Sequence, residues 1–189
     1  MPGTEISAAD VRVDLGDTVV RPWRGDDADS LVRAVTVSID ELARWLPWAK
    51  RDYCAADARE WIAFCERSWH ERSAFPFGVF ASDGAAIGGV GINRIDAQNR
   101  CGSLGYWVAT THTRRGHARR AARAAAEFGF RELGLCRVEI LILPDNRASR
   151  RVAEAIGAQW ECDARARIQH AGLPATAAVY ALLPDELRA

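Results

Sequence analysis

Residues 111–130 read THTRRGHARRAARAAAEFGF, and they place five arginines, Arg114, Arg115, Arg119, Arg120 and Arg123, within ten positions around Gly116. From Ala118 onward, Ala118, Ala121, Ala122, Ala125, Phe128 and Gly129 recur at three- and four-residue steps. Arg119, Arg123, Glu127 and Arg131 line the other side four apart, which predicts an amphipathic helix. A helix N-terminus already carries about half a positive charge, so each arginine there costs roughly 0.3–1 kcal/mol at an exposed site. Thr111 or Thr113 is the candidate cap, and no acid follows nearby. The arrangement makes better sense if an anion sits at that end. A glycine-bearing loop running into a helix offers unpaired backbone N–H groups, a ready phosphate cradle. Arg114, Arg115, Arg119 and Arg120 are then the neutralising side chains. The loop is not a P-loop, because no GK[ST] follows, and it lacks the further glycines of a dinucleotide fingerprint. Alone, it is equally a solvated arginine-rich helix end.

The rest of the chain bounds the answer. Its 189 residues are 49% hydrophobic and 26% charged with zero formal net charge, which suits one soluble domain spanning 1–189 with a core of about 18–183. Neutrality argues against a general nucleic-acid coat. Lys50 is the only lysine, so arginine abundance is a property of the whole chain. The first residues show neither a basic start nor an apolar stretch, and no apolar run approaches membrane-spanning length. The expectation is a cytoplasmic protein, monomer or homodimer, with no membrane and no nucleic-acid partner. Cys54, Cys65, Cys101, Cys136 and Cys162 form no CxxC pair and read as reduced, mostly buried packing residues. His70, His112, His117 and His170 show no ligand spacing, so no metal is expected, and His117 reads as exposed.

Outward from the opening stretch the elements alternate. TVVRPW (18–23) is a strand, RGDDADSLVRAVTV starts a helix after its acids, and SIDELARWLPWAK is a second helix broken by Pro47. A third covers 57–71. Three strands follow, FPFGVFA, AAIGGVGINRI and CGSLGYWVA, the first two joined at Asp83–Gly84. After the arginine helix come a buried strand, CRVEILIL (136–143), and a helix over 146–158 that ends at Gly157. AQWECDARARI and TAAVYALL close the chain as a strand pair linked by QHAGLP. This is an α+β, mixed α/β domain around one sheet. Asn146 and Ser149 stand at the start of the last helix, where Asn146 reads as a cap.

Taken in order, the strand GYWV, TRRGHA, an amphipathic helix and RVEILILPDNRASRRVAEAIGA resemble the GNAT superfamily of acyl-CoA-dependent N-acyltransferases. That family's phosphate loop reads Q/R-x-x-G-x-G/A, matched at Gly116 and Ala118 and departed from at Thr113. ELARWLPWAK and IGGVGINRI resemble its RimJ/RimL-like branch, which acetylates N-terminal amines of ribosomal proteins. The likeness runs from about Thr18 to Leu183.

The resemblance implies a GNAT-like fold, a central, mostly antiparallel twisted sheet splayed at the cofactor site and flanked by helices. It implies acetyl-CoA as donor, CoA as product and a primary amine as acceptor, attacked directly in a ternary complex. Amides of Trp107, Val108 and Ala109 would bind the pantetheine arm. Amides of Arg115, Gly116, His117, Ala118 and Arg119 would hold the pyrophosphate. Arg114 or Arg119 would reach the 3′-phosphate, and Asn146 the pantetheine. The Val108 N–H is the candidate oxyanion donor. Many relatives place an acidic tyrosine where this chain has Ala153, which leaves Ser149 as the donor to the departing thiolate or simply as a CoA contact. Trp45, Trp48, Tyr106 and Asn93 would shape the acceptor pocket. Asp96, Glu41 and Asn93 are the candidate bases, none assigned. Alternatives remain: a small-amine acetyltransferase, a non-catalytic CoA sensor, or a nucleic-acid-binding module.

Overall fold

The computed structural model describes residues 7, 8 and 11–188 of the chain. Among these residues are eight strands and five α-helices, of which the first half holds β1 (Val13–Asp14), β2 (Thr18–Pro22), α1 (Ala28–Thr36), α2 (Ile39–Leu42), α3 (Ala55–Glu71), β3 (Phe75–Ala81), β4 (Ala86–Asp96) and β5 (Cys101–Val108). The second half adds α4 (His117–Arg131), β6 (Arg137–Ile142), α5 (Arg147–Ala155), β7 (Gln159–His170) and β8 (Leu173–Leu182). All strands join one open sheet in the order β1-β2-β3-β4-β5-β6-β8-β7. Every neighbouring pair is antiparallel except β5 with β6, which is parallel. A parallel pair needs a crossover, and α4 supplies it.

That exception shapes the molecule. The β5–β6 ladder holds only Cys101↔Arg137, Gly102↔Val138 and Ser103↔Glu139. On its other side β5 stays paired with β4 as far as Gly88↔Val108. Beyond Ser103 the two parallel strands therefore diverge, and the sheet splays, as the family resemblance implied.

Alternating side chains send successive strand residues to opposite faces. Val20, Phe77, Ile87, Val90, Leu104, Val138 and Ile140 pack with Ala121, Ala122 and Ala125 of α4 and Ala153 of α5. Alanines on that helix face let α4 lie close to the sheet while keeping high helix propensity. Val19, Phe80 and Ala86 pack on the opposite face with Leu31 and Val35 of α1 and Ala58, Ile62 and Cys65 of α3. Trp69, Phe75, Phe77 and Phe128 meet at centroid distances of 4.9–5.6 Å and join α3 to α4.

Three expectations need correcting. The helix expected over 38–50 is one turn, Ile39–Leu42, followed by turns. Pro47 offers no N–H and pushes Leu46 away from helical dihedrals, so the segment cannot propagate. QHAGLP is not a loop: its ends belong to β7 and β8, and only Ala171 (φ 49°) and Gly172 (φ 76°) turn the hairpin. Of the cysteines only Cys65 is buried; Cys101 is half-buried and Cys54, Cys136 and Cys162 are exposed.

Candidate active site

The splay leaves backbone groups of β5 without a sheet partner, and strand parity decides which ones. Ala109 N–H donates to Ile87 O at 2.8 Å, on the β4 side, and Arg100 O accepts from Cys136 N–H at 2.8 Å, on the β6 side. Residues alternate along a strand, so beyond the Ser103↔Glu139 pair the amides of Tyr106 and Val108 face the cleft and that of Trp107 faces β4. Val108, the candidate oxyanion donor, thus has its N–H on the cleft side. The amides of Trp107 and Ala109 are corrected: they serve the sheet, and Ala109 O is taken by His112 N–H at 2.8 Å.

The cleft points at the start of α4. Neither Thr111 nor Thr113 caps it: Thr111 lies in a single 3₁₀ turn, Thr110–His112, and Thr113 turns its hydroxyl back to Thr110 O. The cap residue is Gly116 (φ 79°), with no side-chain cap bond and no acid in the first turn. The first helical bond runs from Arg120 N–H to Gly116 O at 3.0 Å, so helix geometry leaves the amides of Gly116, His117, Ala118 and Arg119 unspent. Arg114 also adopts a left-handed conformation (φ 62°), and together with Gly116 it curls the loop into a concave run of N–H groups.

The arginines divide their work. Arg114, Arg115 and Arg119 are exposed at this end. Arg120 turns inward instead, donating to Asp17 at 2.5 Å, to Thr18 Oγ1 at 3.1 Å and to Arg115 O at 3.1 Å. It braces the loop rather than facing solvent. The Thr18 hydroxyl, assisted by Arg120, holds the Asp17 carboxyl below its ordinary value.

His117 is buried at 5% exposure, not exposed as expected. Its Nδ1 lies 2.6 Å from Thr18 Oγ1 and 3.1 Å from an Arg120 nitrogen. Burial lowers the histidine's pKa, with Arg120, His112 and Arg115 adding to the effect and Asp17 opposing it.

The far wall of the cleft is the start of α5. Asn146 Oδ1 accepts the Ser149 N–H at 3.1 Å, so Asn146 is the expected cap. Ser149 reaches back across the cleft: its Oγ donates to Tyr106 Oη at 3.2 Å, and Tyr106 Oη donates to Ser149 O at 2.9 Å. Tyr106 packs among the α4–α5 side of the core, and burial pushes its phenol well above the ordinary value. It was expected in the acceptor pocket; strand parity sends it to the other face, a correction.

The aromatic on the open face is Trp107. Its indole covers Gly89, where a Cβ would come within 2.8 Å of Nε1, and Trp48 meets it edge-on at 5.7 Å. From the sequence alone Trp107 offers only its amide; the indole's place on this face comes from strand parity. Trp45 spends its Nε1 on Glu41 at 2.9 Å, under Arg44. Asn93 pairs with Ser103 across β4–β5, beside exposed Gly105. Of the candidate bases, Asp96 holds Asn99 and Glu41 holds Trp45 and Arg44. The carboxylate at the vertex is Glu139, opposite Ser103 and bonded to Arg137 at 3.0 Å and Arg167 at 3.1 Å. Only the parallel register reveals it.

Among the described residues no group of three or more His, Cys, Asp or Glu is placed to hold a metal ion, and no helix is long and apolar enough to cross a membrane.

Comparison with known proteins gives a consistent set of likenesses. A family model described as an acetyltransferase (GNAT) domain matches residues 17–159. YdaF of Bacillus subtilis (strain 168), named provisionally as a ribosomal N-acetyltransferase, is 31% identical over 170 residues, 88% of this chain and 91% of that protein. A Vibrio cholerae structure, provisionally a ribosomal-protein-serine acetyltransferase, superposes with a TM-score of 0.81 at 28% identity, covering 94% of this chain and all of the other. Mycobacterium smegmatis RimJ in complex with CoA-disulfide shares the fold, with a TM-score of 0.79 at 23% identity over 91% of this chain and 84% of its own.

Proposed function

The chain belongs to the acetyltransferase (GNAT) domain family, and from that premise we propose that it transfers an acetyl group from acetyl-CoA to a primary amine, foremost the N-terminal amine of a protein, by direct attack in a ternary complex. One observation carries the reading. Among the described residues the one parallel strand pair opens beyond Ser103↔Glu139, beside a helix start whose glycine cap brings no side-chain bond, whose first turn holds no acid and where three arginines are exposed. A single elongated ligand with a polar arm and an oligophosphate at one end fits both features. The reading treats residues 1–189 as one domain acting in the cytoplasm.

Bound acetyl-CoA supplies an acyl group activated as a thioester. The amides of Arg115, Gly116, His117, Ala118 and Arg119 bind its pyrophosphate at the positive end of α4. Arg114 and Arg119 meet the 3′-phosphate through charge-assisted hydrogen bonds. The cleft-facing amides of Tyr106 and Val108, with the Asn146 side-chain NH₂, line the pantetheine arm. Val108 N–H is aimed where negative charge develops on the carbonyl oxygen, and as part of a strand it needs no reorganisation to do so. Ser149 Oγ donates to the departing sulfur. Trp107, Trp48 and Asn93 bound the acceptor side, over a strand whose glycines leave room on that face.

A small polyamine is the second reading, with a hollow of about 340 Å³ beside Thr110, lined by Ser38, Asp40, Glu41 and Arg44, as the space it would enter; there Asp40 and Glu41 pair with Arg51 and Arg44. The test is thiol release from acetyl-CoA with a short peptide bearing a free N-terminal serine, the same peptide with a blocked N-terminus, and spermidine. Release with the free peptide alone supports the leading reading. Release with spermidine alone moves the acceptor to small amines, and release with none of the three counts against an N-acetyltransferase of this class.

A further inference from the structure

Among the described side-chain contacts, the Tyr106–Ser149 pair joins β5 to α5 across the splay with both hydroxyls engaged. Each hydroxyl serves the other residue: the phenol donates to Ser149 O at 2.9 Å, and Ser149 Oγ donates to the phenol oxygen at 3.2 Å. Neither side chain is free to swing. Asn146 fixes the Ser149 backbone through the 3.1 Å cap bond, and Tyr106 is anchored in a strand and packed against the core. Ala153, one turn after Ser149 on the same helix face, is fully buried and brings no hydroxyl.

We infer that Tyr106 is the positioning residue that makes Ser149 a donor to the departing sulfur; the inference rests on the role proposed for Ser149. Both oxygens already sit at hydrogen-bond distance, so the direction of donation can reverse without moving a heavy atom. The phenol O–H turns from Ser149 O to Ser149 Oγ, which frees the serine O–H to point into the cleft. A hydroxyl that accepts one hydrogen bond donates the next more strongly. As the amine nitrogen forms its bond to the acyl carbon, the C–S bond breaks and its electron pair stays on sulfur, where the serine hydrogen bond meets it. The nitrogen's surplus proton goes to water, and sulfur takes its proton from water. Tyr106 stays a neutral phenol throughout, because burial holds its ionisation far above working pH. Its contribution is therefore constant across pH, unlike that of a tyrosine that gives up its proton.

The test is a double-mutant cycle of Tyr106→Phe and Ser149→Ala, assayed by thiol release with the free N-terminal serine peptide and by calorimetric titration with CoA. Thermal melting of each variant controls for folding, and removing one hydroxyl leaves the ring packing intact. Expected are a kcat at least tenfold lower for Ser149→Ala and at least fivefold lower for Tyr106→Phe, the latter by the same factor from pH 6 to 9. The CoA dissociation constant should change less than twofold, and the double variant should be no slower than Ser149→Ala. Multiplying losses, or a full-speed Tyr106→Phe beside a slow Ser149→Ala, overturns the inference and leaves the Ser149 role standing. A full-speed Ser149→Ala removes both.

Discussion

Ser103 and Glu139 are the last residues that β5 and β6 pair, and from that point the two strands part while β5 keeps its antiparallel bonds to β4. Everything assigned to the cofactor follows from that divergence. It exposes alternate amides of one strand toward α5 and leads the cleft to the start of α4, where the Gly116 cap brings no side-chain bond.

The exposed arginines at that start have a specific expected consequence. Arg114→Ala combined with Arg119→Ala should weaken CoA binding about tenfold, the loss of one or two charge-assisted bonds. The same pair should hardly affect dephospho-CoA, which lacks the 3′-phosphate. Calorimetric titration with both ligands checks this; equal losses for the two would move the arginines away from the 3′-phosphate.

His117 should make the fold sensitive to mild acid. Its folded pKa lies below the ordinary 6.5 because the ring is buried. As pH falls toward and through 6.5, the unfolded chain takes up a proton before the folded one does. Stability then drops with falling pH across the window between the two values and is fully present above it. His117→Asn removes this contribution. Melting temperatures from pH 7.5 to 5 should fall more steeply for the wild type than for the variant, and parallel curves would contradict the assignment.

Trp107 and Trp48 meet edge-on over the glycine-lined face of β4. Trp107→Leu should raise the KM for the amine at least fivefold and leave the KM for acetyl-CoA within twofold. Steady-state kinetics with each substrate varied in turn decides it. A change confined to acetyl-CoA would place the indole on the cofactor side.

Much of this was legible in the sequence, for identifiable reasons. Alanines at three- and four-residue steps marked α4, and Asn146 announced its own cap. The anion site was visible because arginines at an acid-free helix start make little sense otherwise. What stayed hidden depended on pairing. Whether Trp107 or Val108 aims its amide into the cleft is a matter of strand parity, set by the register of β4, and a one-residue shift reverses every assignment. The same parity sends Tyr106 to Ser149 and Trp107 to Trp48. Glu139 became visible at the vertex only through a parallel partner more than thirty residues away in sequence. His117 looked exposed because its neighbours are charged, yet Thr18, from a strand far earlier in the chain, receives it.

The most direct test of the account is calorimetric titration of acetyl-CoA into the wild type and Gly116→Val. At Gly116 the backbone is left-handed (φ 79°), which a β-branched residue adopts only under strain, and a Cβ would meet an Arg120 nitrogen at 3.1 Å. The account predicts micromolar or tighter one-to-one binding to the wild type, and a variant that still folds but binds at least a hundredfold more weakly. Undiminished binding by the variant would show that acetyl-CoA does not use the start of α4, and the reading of the cleft would fall with it.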